Sequence, residues 1–174
     1  MVDQTTIILR LLLAFGLGFV LGLERELRGQ VAGLRTHILV SLGACLFTLC
    51  SLFAEQPVDD GASQAVRADI TRIASQVVVG IGFLGGGAIL RHGASIRGLT
   101  TAANLWVTAS VGLAAGFGFH LAASATAALA LFTLIGLRFF ERAILRFRKR
   151  YDVEADNAHH APDRQRGDMP RKPE

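Results

Sequence analysis

Charged residues are scarce over most of this chain. Of its 18 Lys and Arg and 14 Asp and Glu residues, only 15 lie in the first 137 positions, and none lies between Gly98 and Leu137. A soluble domain keeps a charged surface, so this distribution excludes an ordinary water-soluble enzyme domain. Hydrophobic residues make up 51% of the chain, and its mean hydropathy is +0.42. Together these values indicate a membrane protein.

Several motifs are also absent, and each absence excludes a class of protein. The chain has two cysteines, Cys45 and Cys50, without the spacing of a disulfide framework or a zinc site. It has no nucleophile elbow, Walker loop or His-Glu-x-x-His motif, so we expect no enzymatic activity. No positively charged stretch precedes the first apolar run, so we expect no cleaved signal peptide.

Long apolar runs are the main feature that is present. One run, Gly98–Leu137, would form a helix of roughly 60 Å, about twice the hydrocarbon core, so it must fold back. The two glycines and the histidine within residues 116–120 mark the break. The sequence therefore predicts five transmembrane helices, at residues 7–23, 37–54, 73–90, 98–116 and 121–137. The expected fold is an all-α integral membrane bundle of five transmembrane helices.

The distribution of basic residues predicts the orientation of this bundle. The connections after the first and third helices carry Arg25, Arg28, Arg35, Arg91 and Arg97, and ten Lys and Arg residues follow the fifth helix. The connection between the second and third helices is mainly acidic, and the last turn is uncharged. By the positive-inside rule, the N-terminus lies outside and the C-terminus lies in the cytoplasm.

The segment 138–174 is expected to follow the transmembrane domain, residues 1–137, as a basic juxtamembrane segment and a disordered cytoplasmic tail. Anionic lipid is the natural partner of its basic stripe, at about 1 kcal/mol per basic residue. Aromatic stacking residues are missing apart from Tyr151, so we expect no nucleic-acid binding. The residues after Val153 are polar and contain three prolines, which predicts disorder. The stripe consists of Arg138, Arg142, Arg146 and Arg150.

Glycines recur within the apolar runs. Residues 80–85 match the dinucleotide-binding pattern G-x-G-x-x-G, but no strand precedes them and no acidic residue follows at the required distance. Pairs in the pattern G-x-x-x-G instead predict close packing between helices. The alternative is a non-helical glycine segment that lines a polar cavity. The glycines predicted to pack are Gly18, Gly22, Gly80, Gly82, Gly85, Gly86, Gly87, Gly112 and Gly116.

Polar residues within the apolar runs and at their ends form two groups, one toward each predicted face of the membrane. Each costs a few kcal/mol there unless it is paired or faces a cavity. Pairing of Glu24 with Arg28, and helix capping by Thr36, Thr100 and Asp69, explain part of the pattern. The outer group is Arg10, Asp69, Arg72 and Gln76. The inner group is Glu24, Arg25, Glu26, Arg28, Arg35, Thr36, His37, Thr100, Thr101, Asn104 and Thr108.

The inner group contains the candidates for a metal site. Glu24, Glu26 and Asn104 offer the hard oxygen ligands that Mg²⁺ prefers. Arginines of the same group compete for these carboxylates, and no Asp or Glu lies near the centre of any span. The sequence therefore predicts no definite metal or cofactor, and it leaves Mg²⁺ binding open.

Five stretches of the chain are similar, in sequence and in order, to the membrane domain of the MgtC/SapB family. They are Arg10–Ala14, Gly22–Glu26, Gly33–His37, Gly80–Gly87 and Gly98–Trp106. This resemblance implies a multi-pass protein of the bacterial inner membrane that acts in adaptation to low magnesium or acid stress. It implies modulation of another integral membrane protein, with the F-type ATP synthase as one such partner.

The same resemblance leaves some questions open. The alternative function is transport of Mg²⁺ or another cation. MgtC-type members continue into a soluble ACT-like domain, so this chain is expected to be a short form without it. The sequence does not identify the partner protein, and it leaves a homo-oligomer open.

Overall fold

The structure, a computed structural model, describes residues 3–54, 70–92 and 95–160. It confirms an all-α membrane protein with five helices. The helices are α1 (Gln4–Leu27), α2 (Leu34–Ala54), α3 (Ile70–Ala88), α4 (Leu99–Phe117) and α5 (His120–His160). A two-stranded antiparallel hairpin, β1 (Leu90–His92) and β2 (Ser95–Arg97), lies between α3 and α4 in the chain.

The chain divides into two compact units. The first, Met1–Leu131, contains α1 to α4, the hairpin and the beginning of α5. The second, Phe132–Glu174, contains the rest of α5. Helix α5 ends at His160. The sequence predicts disorder after Val153, so the helix continues beyond the point where disorder was predicted to begin.

Three helical segments of the described chain are long and apolar enough to cross a membrane: Gln4–Leu27, Leu34–Phe53 and His120–Phe140. Within α3 the apolar helix Ser75–Ala88 is shorter. Although α4 has 19 residues, it carries Thr and Asn side chains that lower its hydropathy. Several of these polar residues are buried within the chain, so they do not have to face lipid.

The hairpin is an element that the sequence pattern does not predict. The third helix was expected to continue to Leu90, but α3 ends at Ala88 and Leu90 pairs with Arg97. Gly98 follows the hairpin with φ +90°, a conformation that favours glycine. A Cβ at Gly98 would also overlap the carbonyl oxygen of Ala88. Glycine at this position therefore allows the chain to return closely past the end of α3.

Helices α1 and α4 both pack closely against α2, through glycines. A Cβ at Gly18 would lie 2.9 Å from the carbonyl oxygen of His37, and one at Gly22 would lie 2.9 Å from Leu34 Cα. On α4, a Cβ at Gly112 would overlap the carbonyl oxygen of Ser41. Gly116 is similarly close to Thr48, at 2.6 Å from its Cβ. These four glycines let the backbones approach as small residues do in membrane helix pairs.

The glycines of α3 behave differently, and most of them have no contact with another helix within the described chain. Only Gly85 contacts another helix, with its added Cβ 3.6 Å from Ala102 Cβ. At the other four positions a Cβ would meet no described heavy atom within 4 Å: Gly80, Gly82, Gly86 and Gly87. All four are exposed on the surface of α3. The structure also makes this segment helical, which contradicts the alternative of a non-helical glycine segment.

Candidate functional site

Polar side chains, most of them buried, meet at one end of the first unit, where α1 ends and α2 and α4 begin. We call this set the junction network: Glu24, Arg25, Arg28, Gln30, His37, Thr101 and Asn104. It unites most of the inner group that the sequence predicts. Its members come from three helices and the α1–α2 loop, so only the tertiary fold brings them together.

Arg25 joins the end of α1 to the beginning of α4. Its Nη2 donates hydrogen bonds of 2.8 Å to Thr101 Oγ1 and to Gln30 Oε1. Both Arg25 and Thr101 are buried. An arginine side chain stays positively charged in proteins. Because this one is buried, its N–H groups need these hydrogen-bond acceptors.

Glu24 supplies the opposite charge. Its carboxylate forms the expected i, i+4 ion pair with Arg28, and Oε2 lies 3.8 Å from Arg25 Nη1. The Glu24 side chain is only 7% exposed, whereas that of Arg28 is 27% exposed. A buried carboxylate is tolerated because two guanidiniums compensate its charge.

Glu26 caps α2 rather than joining this buried pair. Its Oε2 accepts a hydrogen bond of 2.9 Å from the backbone N–H of Leu34, the first residue of the helix. A Cβ at Gly33 would overlap this carboxylate oxygen, so glycine leaves room for it. The carboxylate therefore satisfies a free N–H and lies at the positive end of the helix dipole.

This arrangement corrects the prediction that threonines cap α2 and α4. Thr36 lies inside the first turn of α2, and Thr100 is an exposed residue within α4. The capping position of α4 is Gly98, and no side chain of the described residues forms a capping hydrogen bond there. Thr and Ser are common caps, but the backbone of Gly98 is left-handed, which favours glycine.

His37 and Asn104 form a second buried contact of the network. Asn104 Nδ2 lies 2.8 Å from His37 Nε2, and His37 Nδ1 lies 2.8 Å from the carbonyl oxygen of Gly33. Both side chains are buried, and His37 is fully so. Asn104 therefore links α4 to α2 at the same level at which Gly22 of α1 approaches His37.

Two buried hydroxyl groups farther along α2 and α4 also form hydrogen bonds. Ser41 Oγ donates to the carbonyl oxygen of Ala14 at 2.8 Å, linking α2 to α1. Thr108 Oγ1 donates to the carbonyl oxygen of Asn104 at 2.8 Å. Ser41 and Gln30 were not among the polar residues predicted from the sequence. The signal for Ser41 was available, because it lies four residues after His37 on the same face of a helix.

The three candidate Mg²⁺ ligands each contact a different partner. Glu24 pairs with arginines, Glu26 accepts from a backbone N–H, and Asn104 contacts His37. Among the residues that the structure describes, no three His, Cys, Asp or Glu side chains are grouped to hold a metal ion. Arg35, the remaining charged member of the inner group, is exposed.

Of the outer group, Arg10 is the residue whose contact the structure describes. Its Nη1 donates a hydrogen bond of 2.7 Å to the carbonyl oxygen of Gly116, in the last turn of α4. The last carbonyl groups of a helix have no N–H partner within the helix, and they lie at the negative end of the helix dipole. Both features attract a cation such as this guanidinium. Gln76 is exposed on α3. Asp69 and the side chain of Arg72 lie outside the described residues.

Comparison with known sequences decides the family. The profile of the MgtC family matches residues 11–143. This chain belongs to the MgtC family. No solved structure shows a significant match to it.

Three relatives in the MgtC family illustrate the similarity. The chain is 47% identical over 120 residues to Protein MgtC of Salmonella typhimurium strain 14028s, covering 68% of this chain and 47% of that protein. It is 45% identical over 113 residues to "Putative magnesium transporter YhiD" of Escherichia coli K12, covering 65% and 52%. An uncharacterized protein of Synechocystis is 43% identical over 131 residues, covering 75% and 52%. The chain thus spans about half the length of these relatives.

The junction network of this MgtC-family chain connects α1, α2 and α4 through ion pairs and hydrogen bonds. Arg25 and Asn104 tie α4 to the end of α1 and the beginning of α2. Glu24 compensates the buried positive charge, and Glu26 fixes the start of α2. Polar contacts of this kind hold membrane helices in one arrangement, since lipid offers these groups no partners.

Proposed function

We propose that this chain is a non-enzymatic, multi-pass protein of the bacterial inner membrane that modulates another integral membrane protein in adaptation to low magnesium or acid stress. Its membership of the MgtC family supports this proposal. The observation that carries it is the outward surface of α3. We define this α3 glycine surface by Gly80, Gly82, Phe83, Gly86 and Gly87.

The α3 glycine surface is free of contacts within the described chain at each of its four glycines. Phe83, between them, is 85% exposed. The opposite side of α3, including Ile81 and Gly85, packs against the rest of the first unit. Exposed small residues let a second helix approach closely, which gives van der Waals contact that lipid does not match. A transmembrane helix of another protein fits this surface.

The junction network supports a scaffold role over a carrier role. A carrier needs coordinating groups that it can offer to an ion near the middle of the membrane. Here the candidate oxygens of Glu24 and Glu26 are engaged by Arg28 and by the N–H of Leu34. Releasing either one would break a contact that holds α1 or α2 in place. The network therefore favours a fixed arrangement of helices that presents α3.

The first experiment introduces leucine into the α3 glycine surface. We expect Gly82→Leu and Gly86→Leu to abolish growth at low Mg²⁺ in a strain that depends on this chain, with normal amounts of folded protein. Matched controls are Gly16→Leu on α1 and Gly43→Leu on α2, where an added Cβ likewise meets no described atom within 4 Å. Both controls are expected to grow like the wild type.

A photo-crosslinker at Phe83 identifies what covers the surface. We expect an adduct with a different membrane protein that Gly82→Leu removes and Gly43→Leu retains. An adduct only with a second copy of the chain would mean that this surface forms a homo-oligomer and does not bind a different membrane protein. Normal growth and unchanged adducts in both α3 variants would refute the proposal.

Cation transport is the second candidate. The buried carboxylate of Glu24 favours it, as does the name of the relative "Putative magnesium transporter YhiD". Purified protein in liposomes with an internal Mg²⁺ indicator tests it under an imposed gradient and potential. Saturable influx that Glu24→Ala or Asn104→Ala removes would establish transport. Influx no greater than in empty liposomes would exclude Mg²⁺ transport. Modulation of another membrane protein would then stand as the proposed function.

A further inference from the structure

Helix α3 runs along α4 in the opposite direction. Ala88, the last residue of α3, lies close to Gly98, which precedes α4. Farther from this end, Ile81 of α3 and Ala109 of α4 belong to the same buried cluster. The beginning of α4 contributes Thr101 to the junction network, so α3 ends at the level of that network. It therefore starts at the opposite end of the first unit and must cross the membrane between them.

The apolar part of α3, Ser75–Ala88, is shorter than those of α1 and α2. At a rise of about 1.5 Å per residue it is about 21 Å long. The apolar segments of α1 and α2, Gln4–Leu27 and Leu34–Phe53, have 24 and 20 residues, which corresponds to about 36 Å and about 30 Å. The hydrocarbon core of a typical bilayer is about 30 Å thick. Thus α1 and α2 are long enough to cross it, whereas α3 is short by roughly 9 Å.

Polar groups mark both ends of this apolar part. At its beginning, the side chains of Ser75 and Gln76 are exposed. After its end, the hairpin of β1 and β2 forms a sheet of two strands. The outer edges of such a hairpin carry backbone N–H and C=O groups without a strand partner, and these groups do not lie in hydrocarbon. Lipid chains beside α3 are therefore confined to the level of residues 77–89, or about 20 Å.

Within these limits, the outward side of α3 borders lipid when no other protein covers it. Val79 is 69% exposed and Phe83 is 85% exposed. A helix that is too short for its bilayer is accommodated by thinner lipid, by long flanking side chains that reach the headgroups, or by contact with other helices. Arg97 of β2 provides a long side chain at one end of α3, but Ser75 and Gln76 at the other end are too short. For the isolated chain, thinner lipid remains.

We propose that the bilayer is thinned beside α3 of the isolated chain. The headgroups there draw toward the membrane centre until they reach the level of Gln76 on one side and of the hairpin on the other. Along α1 and α2 the same bilayer keeps its full thickness. A partner helix on the α3 glycine surface would displace part of the thinned lipid, but the thinning does not depend on that partner.

Spin labels in the middle of α3 and of α1 test the proposal. The purified full chain, with Cys45→Ala and Cys50→Ala, receives a single cysteine by Phe83→Cys or Phe15→Cys. Both positions are exposed and lie near the middle of their apolar segments. The chain is reconstituted at a low protein-to-lipid ratio in liposomes of phosphatidylcholine with monounsaturated acyl chains. The depth of each label follows from its collision rates with oxygen, which concentrates in hydrocarbon, and with a water-soluble nickel chelate.

We expect the Phe83 label to lie about 5 Å nearer to the headgroups than the Phe15 label, about half of the mismatch between α3 and the bilayer. Longer acyl chains should increase this difference, and short acyl chains, whose bilayer approaches the length of α3, should remove it. Gln76→Leu extends the apolar part of α3 by about one turn and should move the Phe83 label deeper. The matched control is Ser124→Leu, because Ser124 is exposed on α5, whose apolar segment has 21 residues. This control should leave the depth of the label unchanged.

Equal depths of the two labels in long-chain lipid would overturn the proposal. So would a difference that stays the same at every acyl-chain length, because water or another chain would then surround α3. A Phe83 label whose depth Gln76→Leu leaves unchanged would also contradict it. Failure of the α3 glycine surface to bind a partner would leave these expectations unchanged, so the two proposals are tested separately.

Discussion

Arg25 Nη2 on α1 donates a hydrogen bond of 2.8 Å to Thr101 Oγ1 on α4, across 76 positions of sequence. Both residues are buried, and the same Nη2 also donates to Gln30 in the α1–α2 loop. A single guanidinium group thus holds three parts of the chain together. Its energetic value depends on the acceptors, because an unsatisfied buried N–H costs more than a formed hydrogen bond returns.

Thr101→Val tests this contact with almost no change of side-chain shape. It removes the hydroxyl acceptor and leaves one buried N–H direction of Arg25 unsatisfied, so we expect a loss of about 1–3 kcal/mol in stability. The measurement is thermal unfolding in detergent micelles, followed by circular dichroism. Thr100→Val is the matched control, because the neighbouring Thr100 is exposed. Equal unfolding temperatures of the two variants would contradict the role given to Thr101.

Gly112→Ala tests the close approach of α4 to α2. The added methyl group would overlap the carbonyl oxygen of Ser41, a backbone atom that cannot rotate away. We expect destabilisation of at least about 2 kcal/mol by overpacking. Gly86→Ala is the control, because its added methyl group meets no described atom within 4 Å. Similar stability of both variants, measured as for Thr101→Val, would show that the helices can separate at low cost.

Glu26 offers a test that separates capping from ion binding. We expect Glu26→Ala to destabilise the protein by about 1 kcal/mol, because the N–H of Leu34 loses its acceptor. Glu26→Gln keeps an oxygen at the same distance from the backbone and should recover at least half of this loss. If Gln behaved like Ala, the charge of Glu26 would matter more than the cap.

The orientation of the chain is a separate prediction. The excess of Lys and Arg after the fifth helix places the C-terminus in the cytoplasm. Alkaline phosphatase fused after Tyr151 should therefore be inactive, while a fluorescent protein fused at the same position should be bright. The opposite pair of results would reverse the orientation.

The sequence by itself determined the class of the protein, its helices and its family. Long apolar runs with few charges require internally hydrogen-bonded backbone in a membrane, so five helices could be predicted from run length and glycine breaks. The Glu24–Arg28 pair was also predictable, because residues i and i+4 of one helix are always neighbours.

Only the tertiary structure decided which polar and small residues meet. Gly82 and Gly112 occur in the same G-x-x-x-G pattern, yet one faces outward and the other touches the backbone of Ser41. Likewise, Glu26 and Asn104 were both candidate metal ligands until the fold gave them different partners. A helical pattern fixes which residues share a face, whereas the rotation of each helix against its neighbours depends on contacts between distant segments.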